Sequence, residues 1–235
     1  MKNLEKLEKA RFGGALPLFG EGDLENYLKQ RAKVELSENN TQHWKMFAIV
    51  FARPAVALAK EYVIPNLEFL HDLSSDHIDF YFVGYQLADQ TQGGEIVSVG
   101  QGNWVYKNFD FVRLTKHFEA SINWKYSGRT DIILANYTLL NGEIVIDYSG
   151  AIAMKLENAI ECKAINSIEE FMKKLADYSA TYSGSNPALD FTKSSYIEVA
   201  RKTFGAYLLH LLPEWLRKTP QQLDTFLLVD LRKYQ

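Results

Sequence analysis

Between residues 47 and 85 two apolar runs flank one helical pattern, and that order constrains the fold more than any other feature. Phe47-Ala-Ile-Val-Phe51 leads through Arg53 and Pro54 into a helical pattern from Ala55 to Leu73, and Ile78-Asp-Phe-Tyr-Phe-Val-Gly84-Tyr85 follows. Strand, helix and strand form a βαβ unit, with parallel strands and the helix across one face. Pro54 suits a first helical position, where its missing N–H costs nothing. Pro65 lies deep in the pattern, where its ring meets the carbonyl of Glu61 and kinks or breaks the helix. The strand-to-helix turn offers one arginine, Arg53, and no nucleophile, metal ligand or glycine cradle. Before a helix N-terminus, Arg53 can meet an anion together with free backbone N–H groups. The alternative is an exposed or salt-bridged arginine.

Downstream, Ile96, Val97 and Val99 face Trp104, Val105 and Tyr106 across a glycine-rich stretch, which predicts a hairpin or flap. Gly100 and Gly102 lack the third glycine and following helix of a nucleotide loop and read as turn residues. Asp110 is expected to cap a helix over 110–126, with Phe111, Leu114, Phe118 and Ile122 on one face. Asp131 to Leu140 and Glu143 to Tyr148 flank Asn141-Gly142, the dipeptide of type I′ hairpin turns. Ser167 and Glu170 form a capping box opening a helix over 167–180. Further helices are expected at 4–11, 24–36 and 196–212, and a last strand at 225–231 joins a sheet. The division that follows is an N-terminal helical lead (1–43), an α/β core (44–180) and a C-terminal helix and strand (181–235) packed on that core.

Composition narrows the function classes. Hydrophobic residues make up 47% of the chain, enough to bury a core without metals or disulfides. The single cysteine, Cys162, cannot form an internal disulfide, in agreement with a reducing compartment. The first twenty residues carry charges throughout and lack the apolar core of a signal peptide. No run approaches the ~18 apolar residues of a membrane helix. A cytoplasmic location without membrane contact is expected. The 26 basic and 29 acidic residues are interspersed, so nucleic-acid binding has no support in the charge pattern.

Strand, helix, strand, then helix, antiparallel hairpin and helix is the element order of a thioredoxin-like domain. Phe51-Ala-Arg-Pro54 resembles the strand end before the thioredoxin active-site turn, and Pro65 lies close to that family's helix kink. Gly128-Arg-Thr-Asp-Ile-Ile-Leu, Asn141-Gly-Glu143 and Tyr148-Ser-Gly150 resemble its final hairpin. The resemblance covers roughly residues 44 to 180 and implies an α/β fold: a mixed sheet flanked by helices, here with a C-terminal helical extension and final strand. The paired cysteines of the redox members are absent, with Val56 and Ala59 in their places. No proline stands at Thr130-Asp131, where the family places a cis-proline. Thiol exchange needs a thiolate. The resemblance therefore implies a non-redox binding or accessory protein without cofactor, acting through a protein partner or a second copy of itself.

One string supports a different class. In Ala159-Ile-Glu-Cys-Lys-Ala-Ile165, period-two alternation puts Glu161 and Lys163 on one face of an extended run. This resembles the E-x-K half of the PD-(D/E)xK nucleases, with Asp147 as the upstream acid. Two carboxylates would hold Mg²⁺ and Lys163 would steady the developing charge. In a simple hairpin, however, Asp147 would lie about 16 Å from Glu161. His71, Asp72, Asp76, His77 and Asp79 form the densest metal-capable cluster, but their spacing matches no zinc pattern and they read as a surface turn.

Overall fold

The computed structural model describes residues 44–74, 78–87, 95–97, 104–140, 143–182, 227–229 and 231–233. The expected helices at 4–11, 24–36 and 196–212, and the Asn141-Gly142 turn itself, lie outside the described residues. The fold is mixed α/β, built on a sheet whose described strands run in the order β2 (Ile78–Phe82), β1 (Trp44–Phe51), β6 (Asp131–Leu140), β7 (Glu143–Lys155) and β8 (Leu227–Val229). β1 (Trp44–Phe51) pairs in parallel with β2 (Ile78–Phe82) on one side and antiparallel with β6 (Asp131–Leu140) on the other. The βαβ unit and the hairpin are both realised. No helix among the described residues is long and apolar enough to cross a membrane.

β1 is central because its composition leaves it nowhere else to go. Met46 through Ala52 are all buried, and a strand hidden on both faces reads as a continuous apolar run. Phe51 lies among Phe111, Phe118, Trp124 and Tyr126, with ring centroids 4.5 to 6.4 Å away. Through these contacts α2 (Asn108–Ser121) and the loop after it close over one sheet face. Phe47 stacks on Tyr137 at 4.3 Å on the same set of alternating positions.

The segment joining β1 to β2 shows what Pro65 does. Ala59–Val63 is a π-helical turn, Ile64–Asn66 a 3-10 turn, and α1 (Leu67–Asp72) resumes regular α geometry. Lacking an N–H, Pro65 removes a bond from the ladder. The chain widens before it, with the Ile64 N–H bonded to Ala59 O, and tightens after it, with the Leu67 N–H bonded to Ile64 O. Pro54 departs from expectation. It sits in a turn closed by Val56 N–H to Arg53 O at 2.9 Å, ahead of the helix rather than at its first position.

Gly84 splits the second apolar run. Its φ is +81°, and a Cβ there would stand 3.0 Å from both Phe111 Cβ and Tyr106 Cε2. The chain turns at this point into β3 (Tyr85–Leu87), which with β5 (Trp104–Tyr106) and β4 (Glu95–Ile96) forms a separate small antiparallel sheet. This is the expected flap, with β3 added to it.

Three boundaries differ from the sequence expectation. α2 begins at Asn108 with Lys107 as its cap, so Asp110 is a buried first-turn residue, not the cap. It ends at Ser121 because Ile122 is extended, with φ −129° and ψ 165°. β7 (Glu143–Lys155) runs past Tyr148, with a bulge where the register jumps from Asn136↔Asp147 to Leu134↔Ile152. At α4 (Ile168–Tyr182) half of the capping box forms. Ser167 Oγ accepts the Glu170 N–H at 3.1 Å, while the Glu170 carboxylate turns to Lys174 and Asn166. The final strand is present: β8 (Leu227–Val229) pairs antiparallel with β7, and Leu231 is buried beyond it.

One polar pair lies inside the sheet. Lys45 Nζ stands 3.1 Å from Asp79 Oδ2, both side chains 2% exposed, with the Tyr81 hydroxyl 3.4 Å from the same carboxylate oxygen. His71 is also buried and packs edge-on against Trp104. The surface-turn expectation for His71 and Asp79 is therefore corrected. A carboxylate enters the interior when a cation enters with it.

Two outcomes follow. Gly84→Ala is expected to lower unfolding free energy by about 2–4 kcal/mol, combining the positive φ with overpacking. Gly128→Ala carries the φ cost alone, about 1–2 kcal/mol, because nothing lies within 4 Å of its Cβ position. Equal losses in urea titrations would remove the overpacking account. Lys45→Met is expected to cost about 3–5 kcal/mol by stranding Asp79, and the double variant Lys45→Met, Asp79→Leu to recover most of it.

Candidate functional site

The carboxyl ends of β1 and β2 lie at one end of the sheet, the usual side for ligands in open α/β sheets. Three segments meet there: the turn after β1, the first turn of α2, and the loop from Ile122 to Thr130. Tyr85 anchors the turn by donating its hydroxyl to Ala52 O at 2.7 Å. Arg53 follows, half-buried. It donates Nη2–H to Asn108 Oδ1 at 3.0 Å and lays its guanidinium over the Phe111 ring, 5.5 Å from the centroid. Tyr106, whose hydroxyl is 3.4 Å from the same Asn108 oxygen, completes the wall.

Those contacts fix Arg53 without neutralising it. A guanidinium carries five N–H donors, and among the described residues a single hydrogen bond, to a neutral amide, holds this one. Among the described residues no carboxylate pairs with it. Arg53 thus lies at the carboxyl end of β1, held by Asn108 and Phe111.

Two neighbouring acids hold the loop before β6. Asp131 opens β6 fully buried and accepts hydrogen bonds from the Ser127 N–H and hydroxyl. Burial pushes its carboxyl above the ordinary range, against the two Ser127 bonds. Tyr126 donates its hydroxyl to Arg129 O, and burial, reinforced by the charge of Asp131, raises its phenol so that it stays protonated. Glu157 spans the Thr130 N–H with both carboxylate oxygens at 2.9 Å. The thioredoxin resemblance would place a proline at this position; a proline could not supply that N–H. Leu156 N–H to Thr130 O, at 2.9 Å, ties the other side of the same residue.

Glu161 and Lys163 occupy positions that differ from the expected strand. Ala159 to Ile165 is not extended: α3 (Leu156–Glu161) is a helix, and Lys163 has φ +54° in the turn that closes it. Leu156 and Ala159 are buried one turn apart, so the apolar residues serve a helix period of three to four rather than two. Glu161, exposed, pairs with Arg129 at 3.2 Å, beside the start of β6. Asp147 lies in β7 opposite Asn136, five residues into β6, which is roughly 16 Å of strand away. The fold thus does not bring Asp147, Glu161 and Lys163 together, and the E-x-K strand geometry is withdrawn. Among the described residues no three His, Cys, Asp or Glu side chains converge as a metal site would require.

Sequence reasoning singled out Arg53 and missed its setting. Asn108, Tyr126, Asp131 and Glu157 come from α2, the loop after it, β6 and α3, and no spacing links them. One signal was available. Phe109 lies out of phase with the stripe of Phe111, Leu114 and Phe118, and in the structure it is 74% exposed.

No family model, curated protein or solved structure matches this chain.

The Asp131 carboxyl yields a pH test. Because its folded value is raised, the native state holds the proton at pH values where the unfolded chain has released it. Stability therefore falls as pH climbs from the ordinary carboxylate range through the raised value; Asp110, raised by burial, adds in the same direction. Asp131→Asn keeps an acceptor for Ser127 and cannot ionise. The expected outcome is a flatter stability–pH profile over that interval and equal or greater stability at neutral pH. An unaltered slope in urea titrations would show that the loss of stability arises elsewhere.

Proposed function

We propose that this protein is a non-redox binding or accessory protein on a thioredoxin-like scaffold, acting through protein contacts at the Arg53 end of its sheet. The observation that carries the reading is Arg53 itself. It is positioned by Asn108 and Phe111, half-exposed, and left without a carboxylate partner among the described residues. Arginine and aromatic residues dominate the energetics of protein interfaces.

The thioredoxin-like part of the proposal rests on element order realised in space. A parallel βαβ unit is followed by a helix, an antiparallel hairpin that adds to β1, and further helices. At the turn where redox relatives of that scaffold carry thiols, this chain has half-buried Val56 and fully buried Ala59. Cys162, at the end of α3, is a free thiol, consistent with a reducing, cytoplasmic setting. Without a thiolate at the turn, recognition is the activity left to that site.

Affinity capture with the full chain as bait, quantified by mass spectrometry beside Arg53→Ala, tests the proposal. Arg53→Ala is expected to keep its thermal midpoint within a few degrees, since it loses one exposed hydrogen bond and a cation–π contact of about 0.5–1 kcal/mol. At least one protein should be recovered with the native chain and lost with the variant. Identical recoveries for the two would overturn the assignment of recognition to this end of the sheet.

A further inference from the structure

We infer that the segment Leu231–Lys233 is a strap that holds the loop from Ile122 to Thr130, and through it the shelf on which Arg53 lies. Three backbone groups left over by other elements bind it. Tyr148 lies where β7 bulges, between the registers Asn136↔Asp147 and Leu134↔Ile152, and its carbonyl accepts the Leu231 N–H at 3.0 Å. Asn123 follows the end of α2, and its N–H donates to Leu231 O at 2.7 Å. Ala120 O is one of the last four carbonyls of α2, which have no partner in the helix, and Lys233 Nζ donates to it at 2.7 Å. A cation there also meets the negative end of the helix dipole. Leu231 thus joins β7 to the loop with both of its backbone groups, and its side chain is fully buried.

The loop is fastened at two points. Asp131 and Glu157 hold its far end at Ser127 and Thr130. Near its start, Asn123 is bound to the strap. Between these points Trp124 lies 4.5 Å from Phe51, and Tyr126 lies 5.4 Å from Phe111, the ring that carries the Arg53 guanidinium. Arg53 is close enough for its charge to act on the Tyr126 phenol. A short segment held by few hydrogen bonds, the Lys233 bond being exposed, opens at lower free energy than the sheet beside it. Its release frees one end of the loop while β1 and β6 stay paired.

The test is hydrogen exchange read by mass spectrometry on the full chain, native beside Leu231→Ala and Lys233→Met, with the Arg53 Nε–H signal followed by NMR. Exchange over residues 122–130 is expected to quicken about tenfold with Leu231→Ala, and by a smaller factor with Lys233→Met, while β1 and β6 keep their protection. The Arg53 signal should shift in both variants. Equal loss of protection in β1 and β6 would make Leu231 an ordinary core residue and overturn the strap. Lys233→Met alters an exposed side chain and decides the matter if Leu231→Ala does not fold: unaltered loop exchange there would overturn the strap. A quickened loop with an unmoved Arg53 signal would overturn the link to the site.

Discussion

Residues Met46 to Ala52 are shut away from water, and their backbone N–H and C=O groups must find partners inside the protein. That requirement organises the sheet. β2 supplies a parallel ladder on one side and β6 an antiparallel one on the other. The parallel pairing needs a crossover, which the segment around Pro65 provides. The antiparallel pairing brings the start of β6 beside the end of β1, with Phe51 opposite Asp131. The turn at Arg53 and the loop ending at Thr130 therefore meet because β1 is central.

Among the described residues, two sets of polar groups bracket β1. At one end of β1, Lys45 and Asp79 neutralise each other. At the other, Asp131 holds Ser127 and Glu157 holds the Thr130 N–H, so both acids fasten the loop before β6. Arg53 sits within this arrangement with its stem and ring plane fixed by Phe111 and a neutral amide. Under the proposed binding role this matters, because a fixed cation loses little freedom on meeting an anion.

The run from Ala159 to Ile165 shows how a short apolar segment misleads. Its alternation fits a strand, yet Leu156 and Ala159 at helical spacing serve the core equally well, and a strand cannot be told from a helix over so few residues. The decision came from β7, which runs on to Lys155 and uses the preceding residues for pairing with β6. Once Leu156 N–H is bonded to Thr130 O, the chain has left the sheet, and a helix satisfies the backbone that follows.

Sequence alone determined the elements whose signals are local and redundant: the parallel strands flanking a proline-broken helix, the antiparallel pairing of β6 with β7, the Ser167 cap and the final strand. Each depends on side-chain period, proline geometry or a turn dipeptide, all contained within a few consecutive residues. Only the tertiary structure decided which polar residues are spoken for. Asp79 became a core residue and Glu161 a surface ion pair, while Arg53 was placed on Phe111 with no carboxylate paired to it among the described residues. Those outcomes depend on partners 30 to 60 residues away, brought within a few ångströms by strand order, and charge pairing at that range leaves no periodic trace in the chain.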